Sequence, residues 1–190
     1  MNVHSVTRVY LTRHGRTALN ADGRLRGLSD PPLDEVGIAE VARLADALAA
    51  HHPQAVISSP LQRAVATAQA IGRAAVAPVT IDARLIDRDY GPMTGVSRAD
   101  VERRYGSVDF APGVEGRTAL AERARRAFFE LTSEFASGPI VLVSHDAFNT
   151  ALLGQLDPTL GQIGQRTACW NELSLVDGAW RVDAYDVVAQ

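Results

Sequence analysis

The chain has 190 residues, 46% of them apolar and 22% charged, which suits one soluble globular domain over residues 1–190 whose core needs no disulfide or metal staple. Its 19 basic side chains, every one an arginine, against 22 acidic ones leave a net charge of −3, so no broad cationic face for nucleic acid or anionic lipid is expected. The lone Cys169 cannot form an internal bridge, no secretory-type leader opens the sequence, and no apolar run approaches the roughly 20 residues that cross a bilayer, so a reducing cytoplasm is the expected compartment.

Along the chain, Val6 to Leu11 is short, apolar and rich in β-formers, and it runs into Thr12-Arg13-His14-Gly15, which reads as a strand entering a polar loop. After Asp30-Pro31-Pro32-Leu33, the apolar positions Val36, Ile38, Val41, Leu44, Ala45 and Leu48 recur at helical spacing. Acidic Asp34 and Glu35 fall in the first turn, where the helix dipole favours them, and the helix is expected to end near Ala50. Ala55 to Ser58 reads as a second buried strand, and Pro60 introduces a helix through Ile71 with Arg63 in its first turn. Val79 to Ile81 is a third strand, followed by an irregular stretch, Leu85 to Gly95, which two glycines and a proline keep from regular helix.

A short helix near Arg98 to Tyr105 and a loop through Gly116 lead to a long amphipathic helix, Thr118 to Phe135. Gly138-Pro139 breaks that helix, and Ile140 to Val143 is the most apolar strand, ending at Ser144-His145-Asp146 before a helix from Phe148 to Leu156. Cys169 to Val176 and Trp180 to Tyr185 alternate about Asp177-Gly178, the pattern of a β-hairpin.

Alternating strands and helices with continuous apolar strands predict a three-layer α/β/α sandwich around a largely parallel sheet. Ligands of such sheets bind beyond the carboxyl ends of the strands. Three polar segments end there: Arg13-His14-Gly15, Ser58 to Arg63, and Ser144-His145-Asp146. Two histidines and two arginines at one edge suit a phosphoryl group, because guanidinium forks hold its oxygens while an imidazole attacks phosphorus. Clustered arginines disfavour a second positive charge on the ring and keep its lone pair free. The leaving oxygen then needs a proton from a carboxylic acid.

Leu11-Thr12-Arg13-His14-Gly15-Arg16-Thr17, with Asn20, Gly23-Arg24-Leu25 and Gly27, resembles the signature of the histidine phosphatase (phosphoglycerate mutase-like) superfamily, small phosphatase branch. The resemblance continues in Pro32-Leu33-Asp34 with Gly37, in Ser58 to Ala64 with Thr67-Ala68, and in Val143-Ser144-His145. It implies that His14 becomes transiently phosphorylated, that Arg13, Arg63 and His145 complete the phosphate pocket, and that no metal or cofactor is required. It also implies that Asn20 contacts the bound phosphate and that Thr17, Arg24 and Asp146 meet substrate.

The acid departs from the family pattern, which at this size reads Leu-x-Glu-x-x-x-Gly, whereas this chain has Leu85-Ile86-Asp87-Arg88-Asp89-Tyr90-Gly91. Asp87 takes the glutamate's place, with a reach shorter by about 1.5 Å. Asp89 is a rival, and so is Asp146, which follows His145 as in the acid phosphatase and phytase branch but also stands where a helix N-cap belongs.

The expected activity is therefore metal-independent hydrolysis of a small phosphorylated metabolite through a phosphohistidine on His14. The alternatives are phosphoglycerate mutase-type transfer, for which the roughly twenty residues between Gly95 and Gly116 give little covering material, and noncatalytic binding of a phospho-ligand. Tyr90, Met93, Arg98, Tyr105, Phe110 and Arg166 are candidate pocket-lining residues. Arg123, Arg125 and Arg126 read as a solvated helix face, Trp170 and Trp180 as a cross-strand pair, Cys169 as buried filler, and His4, His51 and His52 as residues without a role. The alanine-rich, all-arginine composition suggests a bacterial source, and the oligomeric state stays open, a homodimer included.

Overall fold

The computed structural model describes residues 6–135 and 137–190; His4 lies outside the described residues. Six strands among them form one sheet: β1 (Arg8–Arg13), β2 (Ala55–Ser58), β3 (Val79–Ile81), β4 (Pro139–Ser144), β5 (Trp170–Val176) and β6 (Ala179–Val187), in the order β3-β2-β4-β1-β5-β6. The first four strands pair in parallel, and the β5–β6 hairpin joins antiparallel to β1. Asp177 and Gly178 at the hairpin tip both have positive φ, 52° and 79°, the backbone a type I′ turn demands.

The helices are α1 (Ala18–Ala21), α2 (Glu35–Ala49), α3 (Gln62–Ala75), α4 (Arg98–Tyr105), α5 (Arg117–Glu134) and α6 (Asp146–Leu156). On one face of the sheet Tyr10, Val56, Val141 and Val143 pack with Leu44 and Leu48 of α2 and Ala64, Ala68 and Ile71 of α3. On the other face Leu11, Ile57, Ile140 and Leu142 pack with Phe128 and Leu131 of α5 and Phe148 and Leu152 of α6. Because β1, β2 and β4 are covered on both faces, nearly every residue along them is buried, and this is why they read as unbroken apolar runs. Each fully buried aromatic or aliphatic side chain contributes about 1.5–3 kcal/mol. The architecture is the three-layer α/β/α sandwich expected from the sequence.

Several local expectations are corrected. The first strand begins at Arg8 rather than Val6, and the helix expected from Pro60 starts at Gln62, whose N–H is received by Asp30 Oδ1 at 2.7 Å. Asp34 is the N-cap of α2, taking the Gly37 N–H at 2.7 Å, rather than a first-turn residue. The helix expected from Phe148 starts at Asp146, with His145 as its N-cap, so Asp146 complements the dipole from the first turn and does not cap. Trp170 faces Val187 and Trp180 faces Leu175 across the hairpin, so the two tryptophans do not pair. Trp170 joins the cluster under α2 and α3, while Trp180 meets Phe128 edge-on at 4.9 Å. Helix α1 was not foreseen, being four residues without an apolar period, closed by a reciprocal Thr17–Asn20 capping box.

A third, smaller apolar cluster, Leu25, Tyr90, Val101, Val108 and Ala111, builds a cap beside the carboxyl ends of the strands. The parallel register aligns those ends: Arg13 lies opposite Ser144, and Ser58 opposite Val143. The residues that follow, His14, Ser59 and His145, therefore leave the sheet side by side.

Candidate active site

His14 leaves β1 fully buried, and its loop is set by glycines. A Cβ on Gly15 would lie 2.6 Å from Val41 Cγ2 and 2.8 Å from the Gly37 carbonyl oxygen, and a Cβ on Gly37 only 2.1 Å from the Arg16 carbonyl oxygen. The loop thus docks backbone to backbone on α2. The Gly15 carbonyl, which can only accept, lies 2.7 Å from His14 Nδ1, so Nδ1 carries the proton and Nε2 the lone pair. Arg63 Nε donates to that lone pair at 3.2 Å.

Arg63, in the first turn of α3, is fully buried at a helix end that repels cations. Acceptors from other segments satisfy it: the Ser29 carbonyl at 2.7 Å, the Gly27 carbonyl at 2.9 Å and Asp87 Oδ2 at 3.1 Å. Asp87 is also buried; its Oδ1 takes the Arg88 N–H at 2.8 Å, and its Oδ2 lies 3.6 Å from His145 Nδ1. His145 Nε2 is 2.7 Å from the Ser59 hydroxyl, whereas its buried Nδ1 has no hydrogen-bond partner. The two imidazole rings are 5.1 Å apart, centroid to centroid.

Arg13 closes the group from the other side. Its Nη1 donates to the Gln165 carbonyl and lies 3.7 Å from Asp146 Oδ2, while its buried Nε has no acceptor. Asp146 Oδ1 in turn accepts the Gln165 N–H at 2.9 Å. Gln165 is held by Asn149 at 3.1 Å and by Asn171 at 2.7 Å, so this loop is tied to the core beneath β1. A cleft of about 430 Å³ opens beside Asp146, walled by Arg88, Tyr90, Arg98, Arg117 and Gln162. A second cavity of about 480 Å³ lies against Arg13, Arg16, Asn20, Arg43 and Arg166. Neither touches His14, Arg63 or His145, which are fully enclosed.

Burial, then the charges of His145, Arg63, Arg13 and Arg26, hold the His14 imidazolium well below the usual histidine range. Burial, then Arg63, Arg26 and Arg13, do the same to His145. Both rings are therefore neutral at pH 7, and an enclosed cationic surface faces an unprotonated nitrogen. Among the described residues, no group of three or more His, Cys, Asp or Glu side chains is arranged to hold a metal ion.

Of the residues expected from the sequence, His14, Arg13, Arg63, His145 and Asp87 come together. Asp146 stands at the edge, bound to the Gln165 loop. Asp89 is exposed and turns its carboxylate to the Gly91 N–H at 2.7 Å. Thr17 and Asn20 are engaged with each other in the α1 capping box. Arg24 is exposed and donates to the Gly95 carbonyl at 2.8 Å. Among the candidate lining residues, Tyr90 and Arg98 wall the cleft, but Met93 and Tyr105 pack into the cap, Phe110 projects outward, and Arg166 pairs with Asp186 at 2.7 Å. Cys169 is buried, with its thiol pushed up mainly by burial, and His51 stacks on Tyr10 at 4.5 Å.

Sequence reasoning missed Arg26, Ser59, Gln165 and Arg123. The solvated-face reading of Arg123 is corrected: it donates to the Ile86 carbonyl at 2.9 Å and the Asp87 carbonyl at 2.8 Å, and its Nε pairs with Glu115 at 2.6 Å, so it fixes the backbone that carries Asp87. Ser59 falls within the Ser58 to Ala64 segment, and Arg26 directly precedes Gly27. Nothing in the local pattern marks Gln165 or Arg123.

Fold and site together define a class, and the comparison with known families agrees: the model of the histidine phosphatase superfamily (branch 1) matches residues 9–187, and the chain belongs to that superfamily. The glucosyl-3-phosphoglycerate phosphatase of Mycolicibacterium vanbaalenii is 32% identical over 97% of this chain and 96% of its own length. The metal-independent phosphoserine phosphatase of Arabidopsis thaliana is 28% identical over 97% of this chain and 83% of its own. A solved structure of the mycobacterial glucosyl-3-phosphoglycerate phosphatase with VO3 superposes with a TM-score of 0.86 at 28% identity, covering 95% of this chain and 99% of that one.

Proposed function

We propose that this protein is a phosphomonoesterase that hydrolyses a small phosphorylated metabolite through a phosphohistidine on His14, with no metal in the reaction. The observation that carries the reading is the fixed tautomer of His14, whose Nε2 lone pair faces the Arg63 guanidinium. A phosphate monoester enters between them, taking over the donors of Arg63 and separating Arg13 from Gln165. His14 Nε2 attacks phosphorus and the bond to the leaving oxygen breaks. Asp87, entering as the acid, gives that oxygen its proton. Water then attacks the phosphohistidine, Asp87 takes a proton from it, the N–P bond breaks, and inorganic phosphate leaves with the His14 lone pair restored. Arg13, Arg63 and His145 hold the phosphoryl oxygens throughout.

Asp87 is favoured over Asp89 and Asp146 as the acid because its Oδ2 is within 3.1 Å of Arg63 and 3.6 Å of His145. The short segment between Gly95 and Gly116 gives little covering material, which favours hydrolysis over mutase-type return of the phosphoryl group, and an intact nucleophile with a carboxyl in the same cluster favours turnover over mere binding. Residues 1–190 act as one domain in this reading, in the cytoplasm of a bacterium; among the described residues no helix is long and apolar enough to cross a membrane.

The test is phosphate release from p-nitrophenyl phosphate in excess EDTA by the wild type and His14→Ala. Turnover that survives the chelator and disappears in the variant is the expected result. Turnover that the chelator abolishes, or that His14→Ala retains, would sink the mechanism.

A further inference from the structure

Residues 23–27 run as a ribbon against residues 95–98. Leu25 N–H donates to the Val96 carbonyl at 3.0 Å, Gly95 N–H to the Leu25 carbonyl at 2.7 Å, and Arg98 N–H to the Gly23 carbonyl at 3.0 Å. Leu25 is buried in the cap cluster, and the Gly27 carbonyl accepts from Arg63. Arg26 stands between these two fixed neighbours. Its Nη1 donates to the Arg24 carbonyl at 3.2 Å, and no other protein acceptor takes its protons among the described residues. Its Nε is enclosed and unpartnered.

The charged and titratable groups around it are Arg13, Asp87, Tyr90 and Arg63, and burial, then Arg13, pull its guanidinium down to about 10. Arg63 has four protein acceptors for its five N–H groups, so that each of its nitrogens has a partner without a ligand. Arg26 is half-buried: its Nη1 meets the Arg24 carbonyl at the exposed edge, while its Nε–H is enclosed without an acceptor beside a second cation, Arg13, and that one unmade hydrogen bond costs stability until an anion arrives. Two buried donors of this site lack partners, Arg13 Nε and Arg26 Nε, and so does His145 Nδ1, a donor when Nε2 accepts from the Ser59 hydroxyl. A phosphate monoester dianion offers three non-bridging oxygens.

Resting on the phosphatase reading, we infer that Arg26 is a third guanidinium for the transferred phosphoryl group, its Nε–H and a terminal N–H given to those oxygens beside Arg13 and Arg63. The clamp selects monoesters. A phosphodiester has only two non-bridging oxygens and half the charge, and leaves one guanidinium unpaired.

Arg26→Gln and Arg26→Lys test this, with inorganic phosphate as inhibitor of p-nitrophenyl phosphate hydrolysis and as stabiliser in thermal unfolding. Arg26→Gln is expected to weaken phosphate binding about tenfold or more, the weight of a charge-assisted contact, with partial recovery in Arg26→Lys. Its preference for p-nitrophenyl phosphate over bis(p-nitrophenyl) phosphate is expected to narrow, and its Tm without phosphate to stay level or rise. Unchanged phosphate affinity would overturn the inference, as would failure to fold, or a lowered Tm that phosphate still raises by the wild-type amount. Arg26-dependent phosphate binding without any turnover in the wild type would overturn the phosphatase reading and leave the clamp; turnover with Arg26-independent binding would overturn the clamp alone.

Discussion

One imidazole proton decides what His14 can do. With Nδ1–H given to the Gly15 carbonyl, the lone pair can lie only on Nε2, on the side of Arg63. At the same scale, Asp87 carries the proposed proton transfer with a side chain one methylene shorter than the family's glutamate. The loop that carries it is held at the Ile86 and Asp87 carbonyls by Arg123. Asp87→Asn is expected to lower kcat on p-nitrophenyl phosphate by roughly 10²–10⁴-fold with phosphate still bound, the range for losing a general acid. Near-normal kcat there, with a collapse in Asp146→Asn, would move the role to Asp146.

At the scale of elements, the site depends on how closely two of them approach. The Arg13-His14-Gly15 loop fits α2 only because Gly15 and Gly37 have no Cβ. Gly37→Ala is expected to destabilise the fold by about 1–3 kcal/mol, the cost of overpacking, and to lower turnover by displacing His14, both measurable by denaturant unfolding and steady-state assay. The contact between α5 and the Asp87 loop is the second such joint. Arg123→Met leaves two carbonyls and Glu115 without their donor, and is expected to lower kcat while the inhibition constant for phosphate stays near wild type. An equal loss in both would show that Arg123 supports the phosphate pocket and not the acid.

For the whole molecule, burying two neutral histidines links folding to pH. Both rings are held well below the ordinary value near 6.5 in the folded protein. As pH falls below that value the unfolded chain takes up protons that the folded one does not, so the sign is a loss of stability toward acid, fully relieved above it. The slope limit is about 1.4 kcal/mol per pH unit for each ring. Thermal unfolding from pH 7 to pH 5 is expected to show a falling Tm, with a shallower fall in His145→Asn. A Tm that is flat across this window would show that the rings are not buried as neutral species. The same depression keeps the nucleophile unprotonated in mildly acidic solution, so the acid limb of the rate profile on His14 is expected below pH 6.5.

Apolar runs and turn residues fixed the order of strands and helices in the sequence, because short-range periodicity and local backbone preference act within about ten residues. Arg13, His14, Arg63 and His145 were legible for the same reason, each standing at the end of a strand or the start of a helix whose type was readable. The sheet order decided the rest. His14 and Arg63 are 49 positions apart, and they meet because β1, β4 and β2 lie in register with their ends aligned. Which of three aspartates stands beside Arg63 and His145, that the Arg26 Nε lies without an acceptor, and that Arg123 and Gln165 brace the loops from distant helices and turns all follow from contacts between segments. No local pattern encodes such contacts, since a side chain's partner across the sheet depends on register and packing that only the folded chain defines.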